Sequence, residues 1–255
     1  MPSFIKLGFV ASIWLLMTLP AAAQQISPQA NPSTWVALPP VGTLSRPIGL
    51  YAWSGAGSTN TYYGGFGGFL WALNGNLASD GFIIRGETTG GGYRYVATGF
   101  PHEQVDTVGA GVLLGYRKSI GSGWLTGYVG GNFEEHDNPD PAAPIRGTHG
   151  GVKGLVEYYQ PLNDKFDVSG SASYSTAFST ATVSGRLGYK LIDNLKIGPE
   201  ITYASNVNSR DSRVGSFISH DTQFGVIVLS GGYVKPLVNN PDGYYANIQF
   251  GFAIR

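Results

Sequence analysis

The stretch Ser184–Glu200 reads SGRLGYKLIDNLKIGPE. Its residues alternate. Val183, Gly185, Leu187, Tyr189 and Leu191 fall on one face, and Thr182, Ser184, Arg186, Gly188 and Lys190 fall on the other. Past Asp193 the alternation resumes, with Leu195, Ile197, Pro199, Ile201 and Tyr203 against Lys196, Gly198, Glu200, Thr202 and Ala204. A period of two marks a strand with one apolar face. The stretch is therefore a hairpin with a tight turn around Asp193. If Leu191 faces Leu195, Arg186 stands directly opposite Glu200, and such a pair stabilises a sheet by about 0.2–1 kcal/mol. The same register sets Lys190 against Lys196, tolerable only at a wet rim. Pro199 cannot donate to a ladder, so a bulge is expected at Gly198–Pro199.

The same alternation runs through Phe166–Tyr174, Val108–Tyr116 and Ala246–Ile254. No segment shows a helical period. Of 255 residues only 13% are charged, against about a quarter in soluble domains. Gly (38) and Tyr (15) are abundant, which suits many strands rather than a helical enzyme. Mean hydropathy is -0.01, too low for a helical membrane protein. A formal net charge of +0 argues against nucleic acid, whose phosphates call for a basic surface.

Alternation also fits a soluble sandwich, but three features favour an antiparallel transmembrane β-barrel. The polar faces carry serine, glycine and charge but little exposed lysine. Connections alternate in length. Asn74–Asp80, Lys118–Gly123, Pro161–Lys165, Ile192–Asn194 and Ser219–Thr222 are short. Ser54–Asn60, Gly91–Asp106, Glu134–Arg146, Ser175–Ala181, Ser205–Ser212 and Lys235–Gly243 are longer, as in outer-membrane barrels. Aromatics also fall in two belts. Trp71, Phe82, Tyr116, Trp124, Tyr158, Phe166 and Tyr189 lie by the short turns, and Tyr93, Phe133, Tyr174, Tyr203, Tyr233 and Tyr245 by the long loops, as a bilayer interface selects. Twelve strands are expected between Leu50 and Ile254, with ten as the alternative. The sheet must close, since an open edge has no partner in hydrocarbon.

The chain opens with Lys6, an apolar run Leu7–Leu19 and small residues Ala21 and Ala23. Residues 1–23 thus read as a secretory signal peptide, too short to span a membrane. Residues 24–47 carry five prolines and no periodicity and read as a periplasmic leader. Residues 48–255 form the barrel domain. There is no cysteine, so neither a lipid-anchor site nor a disulfide framework is available.

Catalytic motifs are weak. Ser219-His220-Asp221 spells a triad, but neighbours in a strand point to opposite faces. His149 has no serine placed beside it by spacing, though Ser173 or Ser175 on the next strand stays open. The acidic run Glu134–Pro141 lacks calcium-loop spacing and reads as a solvated loop. No cofactor or metal motif is present. The charges that alternation turns away from lipid are Arg85, Glu87, Lys153, Glu157, Arg186, Glu200 and Arg213. Unpaired charge in a narrow barrel is costly, so these should pair.

Four segments carry a resemblance: ALNGNLASDGFIIRGETTGGGYRY (Ala72–Tyr95), GVLLGYRKSIGSGWLTGYVGGNFEEHDNPDPAAPIRGTHGG (Gly111–Gly151), SYSTAFSTATVSGRLGYK (Ser173–Lys190), and KIGPE with SRVGSF between Lys196 and Phe217. In order, they resemble the alphaproteobacterial cellulose biosynthesis protein BcsS family, with its ALNG, LGY, H-D-x-P-D, YSTAF and GPE motifs. Departures are Asn76, Ser216 and the final Arg255. The resemblance implies a Gram-negative outer-membrane barrel tied to cellulose production. Its expected partners are outer-membrane lipid, cellulose and other cellulose-synthesis subunits. It brings no catalytic residue. Cellulose is neutral, so a conduit needs aromatic stacking faces inside, and most tyrosines here are assigned to the belts. An accessory role is therefore expected, with a generic small porin or a lipid- or glycan-modifying enzyme as the alternatives.

Overall fold

The structure is a computed structural model that describes residues 47–97, 100–207, 209–236 and 242–254, with the side chains of 95–97 and 100–103 outside that description. The expected signal peptide and, up to Pro47, the leader lie outside the described residues. Twelve strands follow in order: β1 (Leu50–Thr59), β2 (Tyr62–Ala72), β3 (Gly81–Ala97), β4 (Phe100–Ile120), β5 (Gly123–Asp137), β6 (Gly147–Pro161), β7 (Phe166–Ser175), β8 (Thr180–Ile192), β9 (Leu195–Ser205), β10 (Arg210–Thr222), β11 (Gly225–Pro236) and β12 (Gly243–Ile254). Each pairs antiparallel with its sequence neighbour. β1 closes onto β12 from Leu50 opposite Ile254 to Thr59 opposite Tyr245. The chain is an all-β closed barrel.

Alternation sorts side chains to the two faces of this wall. Val112, Val129, Val152, Ile201 and Val214 are exposed outside. Trp71, Phe82, Tyr116 and Phe166 ring the end that holds Leu50 and Ile254, here the near end. Phe133, Tyr174, Tyr203 and Tyr233 ring the far end, and all eight are exposed. Three aromatics expected in these belts, Tyr93, Trp124 and Tyr245, are buried inside instead. They share the right height but sit on inward-facing positions. Tyr51, Tyr62 and Tyr128 are also buried, so the interior holds more aromatic surface than the belt assignment foresees.

Strands run further than expected. β3 has 17 residues and β4 has 21, well beyond the roughly 9–11 that cross a bilayer. The expected loop Gly91–Asp106 is ladder out to Tyr95 opposite Glu103, and Ser54–Asn60 is mostly strand. Glycines suggested loops there. In the fold they let walls approach, since a Cβ at Gly91 would collide with the Tyr63 carbonyl.

The bulge expected at Gly198–Pro199 is absent. β9 pairs regularly with β10 through Ser216–Pro199 and Phe217–Gly198. Against β8 the ladder skips Leu187–Pro199 and Gly188–Gly198, yet Arg186–Glu200 before the gap and Tyr189–Ile197 after it keep one register. The register shift lies instead beside the turn, where Ile192, not Leu191, faces Leu195. Proline's missing N–H thus falls in an interruption of one ladder. A Cβ at Gly198 would strike the Leu187 carbonyl, so glycine is what lets the strands stay in line there.

Candidate functional site

The interior is organised around two networks of ionised side chains. The first lies on β3, β5 and β6. Arg85, with no exposed surface, donates from Nε to Glu87 Oε2 at 3.1 Å and from Nη1 to Glu157 Oε1 at 2.8 Å. Lys153 holds the other oxygen of Glu87, and the Tyr128 hydroxyl donates to Glu157 Oε2 at 3.1 Å. The Arg85 guanidinium lies 4.8 Å from the centroid of the Trp53 ring. Around it pack Tyr51, Phe66, Leu70, Ile83, Leu113 and Leu155. Two cations and two carboxylates meet their charges locally, as burial demands.

The second network lies on β8, β9, β10 and β12. Arg186 Nε and Nη2 both reach Glu200 Oε2, at 2.8 and 2.7 Å. The Tyr245 hydroxyl donates to Glu200 Oε1 at 2.7 Å. Tyr245 can reach there because Gly215 and Gly232 leave room, since a Cβ on either would meet its ring or hydroxyl. Arg186 also stacks over Phe217 at 4.9 Å. Arg213 binds Asp211 on its own strand at 2.9 and 3.2 Å. Beside these residues a cleft of about 400 Å³ of empty space, counted with its open side, is lined by Phe66, Thr202, Ser230, Asn247 and Gln249.

All seven charges assigned to the interior from the sequence thus fall into these two groups, with Lys153 in the first and Arg213 in the second. Lys190 and Lys196 do stand opposite each other, but each has its own carboxylate, Asp193 and Asp167. Sequence reasoning missed Asp211, placed in an expected loop, and Tyr245, placed in a belt. It also missed Arg117, although Arg117 shares the inward parity of Leu113. Arg117 donates to Thr126 Oγ1 at 3.1 Å and to the Leu77 carbonyl, over the Trp124 ring at 4.3 Å.

Loops pack into both ends. At the near end the turn Leu73–Asp80 folds inward. Asn74 donates to the Asp80 carbonyl at 2.9 Å and accepts from the Asn76 N–H at 3.0 Å. Gly75 (φ +74°) makes the turn possible. Leu77 is thereby buried in the floor beside Ile48, whose carbonyl its N–H meets at 2.8 Å. Asp80 is held low, to about 2, by Lys118 and by Ser119. At the far end the acidic loop packs Ala143 against Tyr62, Tyr93 and Val105. Asn138 and Asp140 form successive side-chain turns, accepting from Asp140 N–H at 3.1 Å and Ala142 N–H at 2.9 Å. His149 turns onto Phe178, 4.5 Å between ring centroids, while Ser175 bonds Asn132 at 2.9 Å. His220 Nδ1 donates to the Asn194 carbonyl at 3.0 Å.

A family model described as cellulose biosynthesis protein BcsS matches residues 51–252. The chain belongs to the cellulose biosynthesis protein BcsS family. No curated protein matches it. Among solved structures it is similar to the KdgM porin, alone and in complex with disordered oligogalacturonate, each at a TM-score of 0.53 and 10% identity over 80% of this chain and 99% of that chain. It also matches the beta domain of the Bordetella autotransporter BrkA, with a TM-score of 0.48 and 11% identity over 82% of this chain and 100% of that one. The porin likeness shows the fold, an outer-membrane type of barrel. In this BcsS-family chain the ALNG, H-D-x-P-D and YSTAF motifs fall at the two closures, and GPE falls at the interrupted ladder beside the Arg186–Glu200 pair.

Proposed function

We propose that this chain is an accessory, scaffolding component of bacterial cellulose synthesis or export, set in the outer membrane with the near end and both termini in the periplasm. In this reading residues 1–23 are the export signal and 24–47 a periplasmic leader. The observation that carries the accessory role is the filled interior. Arg85 and its aromatic neighbours occupy one half, Leu77 packs into the near end, and Ala143 and Phe178 pack into the far end. Tyr51, Trp53, Tyr62, Tyr93 and Tyr128 are buried in packing, and the cleft beside the second network is lined mainly by polar and charged side chains with Phe66 and Tyr245, so little aromatic face is offered on which a neutral glucan chain could stack. A glucan conduit calls for the opposite arrangement. Membership of the BcsS family supports the pathway. The partners in this reading are outer-membrane lipid, cellulose and the other cellulose-synthesis subunits, and no catalytic step is assigned to the chain. Deletion in the native host, read with a cellulose-binding dye, tests it: reduced or misplaced cellulose, restored by the full chain, is expected. Unchanged cellulose would remove the pathway assignment and leave the barrel standing.

A further inference from the structure

The YSTAF segment has a geometry that the filled barrel does not require. Between β7 and β8 a single 3-10 turn, Ala177–Ser179, interrupts the chain. Phe178 (φ 49°) and Ser179 (φ 50°) are both left-handed, and neither is glycine. Such residues are strained and persist only where their surroundings hold them. The holding contacts are identifiable. Phe178 is nearly buried and sits edge-on to His136 at 4.9 Å and against His149 at 4.5 Å. Its carbonyl accepts from the Val207 N–H of the β9–β10 loop at 3.1 Å. Thr176 pairs with Val152 through N–H to carbonyl at 3.0 Å and through Val152 N–H to Oγ1 at 2.9 Å. Gly151 makes the close approach possible, because a Cβ there would overlap Ala177.

We infer that Thr176–Thr180 is a strained latch over the far end of the barrel, held shut by the Phe178 ring and opening as a unit while the strands stay paired. Strain and a single aromatic wedge oppose each other within five residues. The balance there is therefore local and small compared with the stability of the ladders. Opening uncovers the inward-facing His136, which Phe178 covers in the closed form.

Amide hydrogen exchange on the full chain in detergent tests this, following the amides of Thr176 and Ala177 in the latch and of Val207 in the loop against it. Ser179→Gly relieves one of the two left-handed residues and keeps the wedge, so exchange there should slow by about ten-fold. Phe178→Ala removes the wedge and keeps the strain, so exchange there should quicken by at least about ten-fold, with β2 and β3 amides unchanged. The inference is overturned if Ser179→Gly leaves the rate where it is. It is equally overturned if Phe178→Ala quickens exchange around the whole barrel, since the segment would then open only by global unfolding.

Discussion

Arg186 and Glu200 stand opposite each other across β8 and β9, joined at 2.7 and 2.8 Å, one step from the two positions where that ladder is interrupted. The ion pair borders the gap beside Pro199. Breaking one partner of a buried pair strands the other and costs about 3–5 kcal/mol. Arg186→Glu should therefore lower the unfolding midpoint in detergent, and Glu200→Arg added to it should restore part of the loss. The rescue will be incomplete because Tyr245 also binds Glu200. With no rescue at all, the pairing would carry none of the stability.

The GPE motif separates into two unequal residues. Gly198→Ala should be the harsher change, because its Cβ meets the Leu187 carbonyl in a wall that cannot move aside. Pro199→Ala acts where no ladder bond exists to be lost, so its effect should stay within about 1 kcal/mol. Urea midpoints of the two single variants decide the order, and equal losses would contradict it.

Arg85 touches two carboxylates where Lys153 touches one. Arg85→Met leaves Glu157 without a cation in its buried network and should cost about 3–5 kcal/mol, enough to impair assembly. Lys153→Met, at a partly exposed site, should cost about 1 kcal/mol. Heat-shift electrophoresis of the two variants against the parent reads the difference directly.

Asp80 supplies a pH signature at the near end. Lys118 and Ser119 lower its carboxyl to about 2, against about 3.9 in an unfolded chain. A depressed carboxyl contributes stability above the unfolded value, and that contribution disappears as pH falls from about 4 through about 2. Thermal midpoints of the parent should drop more steeply over that window than those of Asp80→Asn. Parallel curves would show that the turn gains nothing from the charge.

Much of this was legible in the sequence, for physical reasons. Period-two alternation fixed each wall residue's face, so the strand number and the inward parity of Arg85, Glu157 and Glu200 could be read. The Arg186–Glu200 pairing was read from Leu191 facing Leu195; the pairing holds, but Ile192 faces Leu195, and a register shift beside the turn reconciles the two. Belt membership was less legible, because height along a strand and the face of the wall are separate coordinates. Tyr245 has the height of a belt residue and the parity of an interior one. The role of glycine was hidden as well. Gly91 and Gly198 look like loop and bulge signals, but they serve close approach between paired strands, which depends on what lies across the ladder. The inward folding of Leu77 and Phe178 has no periodicity to announce it, since each sits in a turn.

The central claim is that side chains and loops fill this barrel, so that it serves cellulose production as an accessory rather than as a conduit. Planar-bilayer recording of the purified full chain tests that claim most directly. The account predicts no steady current at moderate voltage. A stable open-channel conductance of porin size, blocked by soluble cello-oligosaccharides, would contradict it.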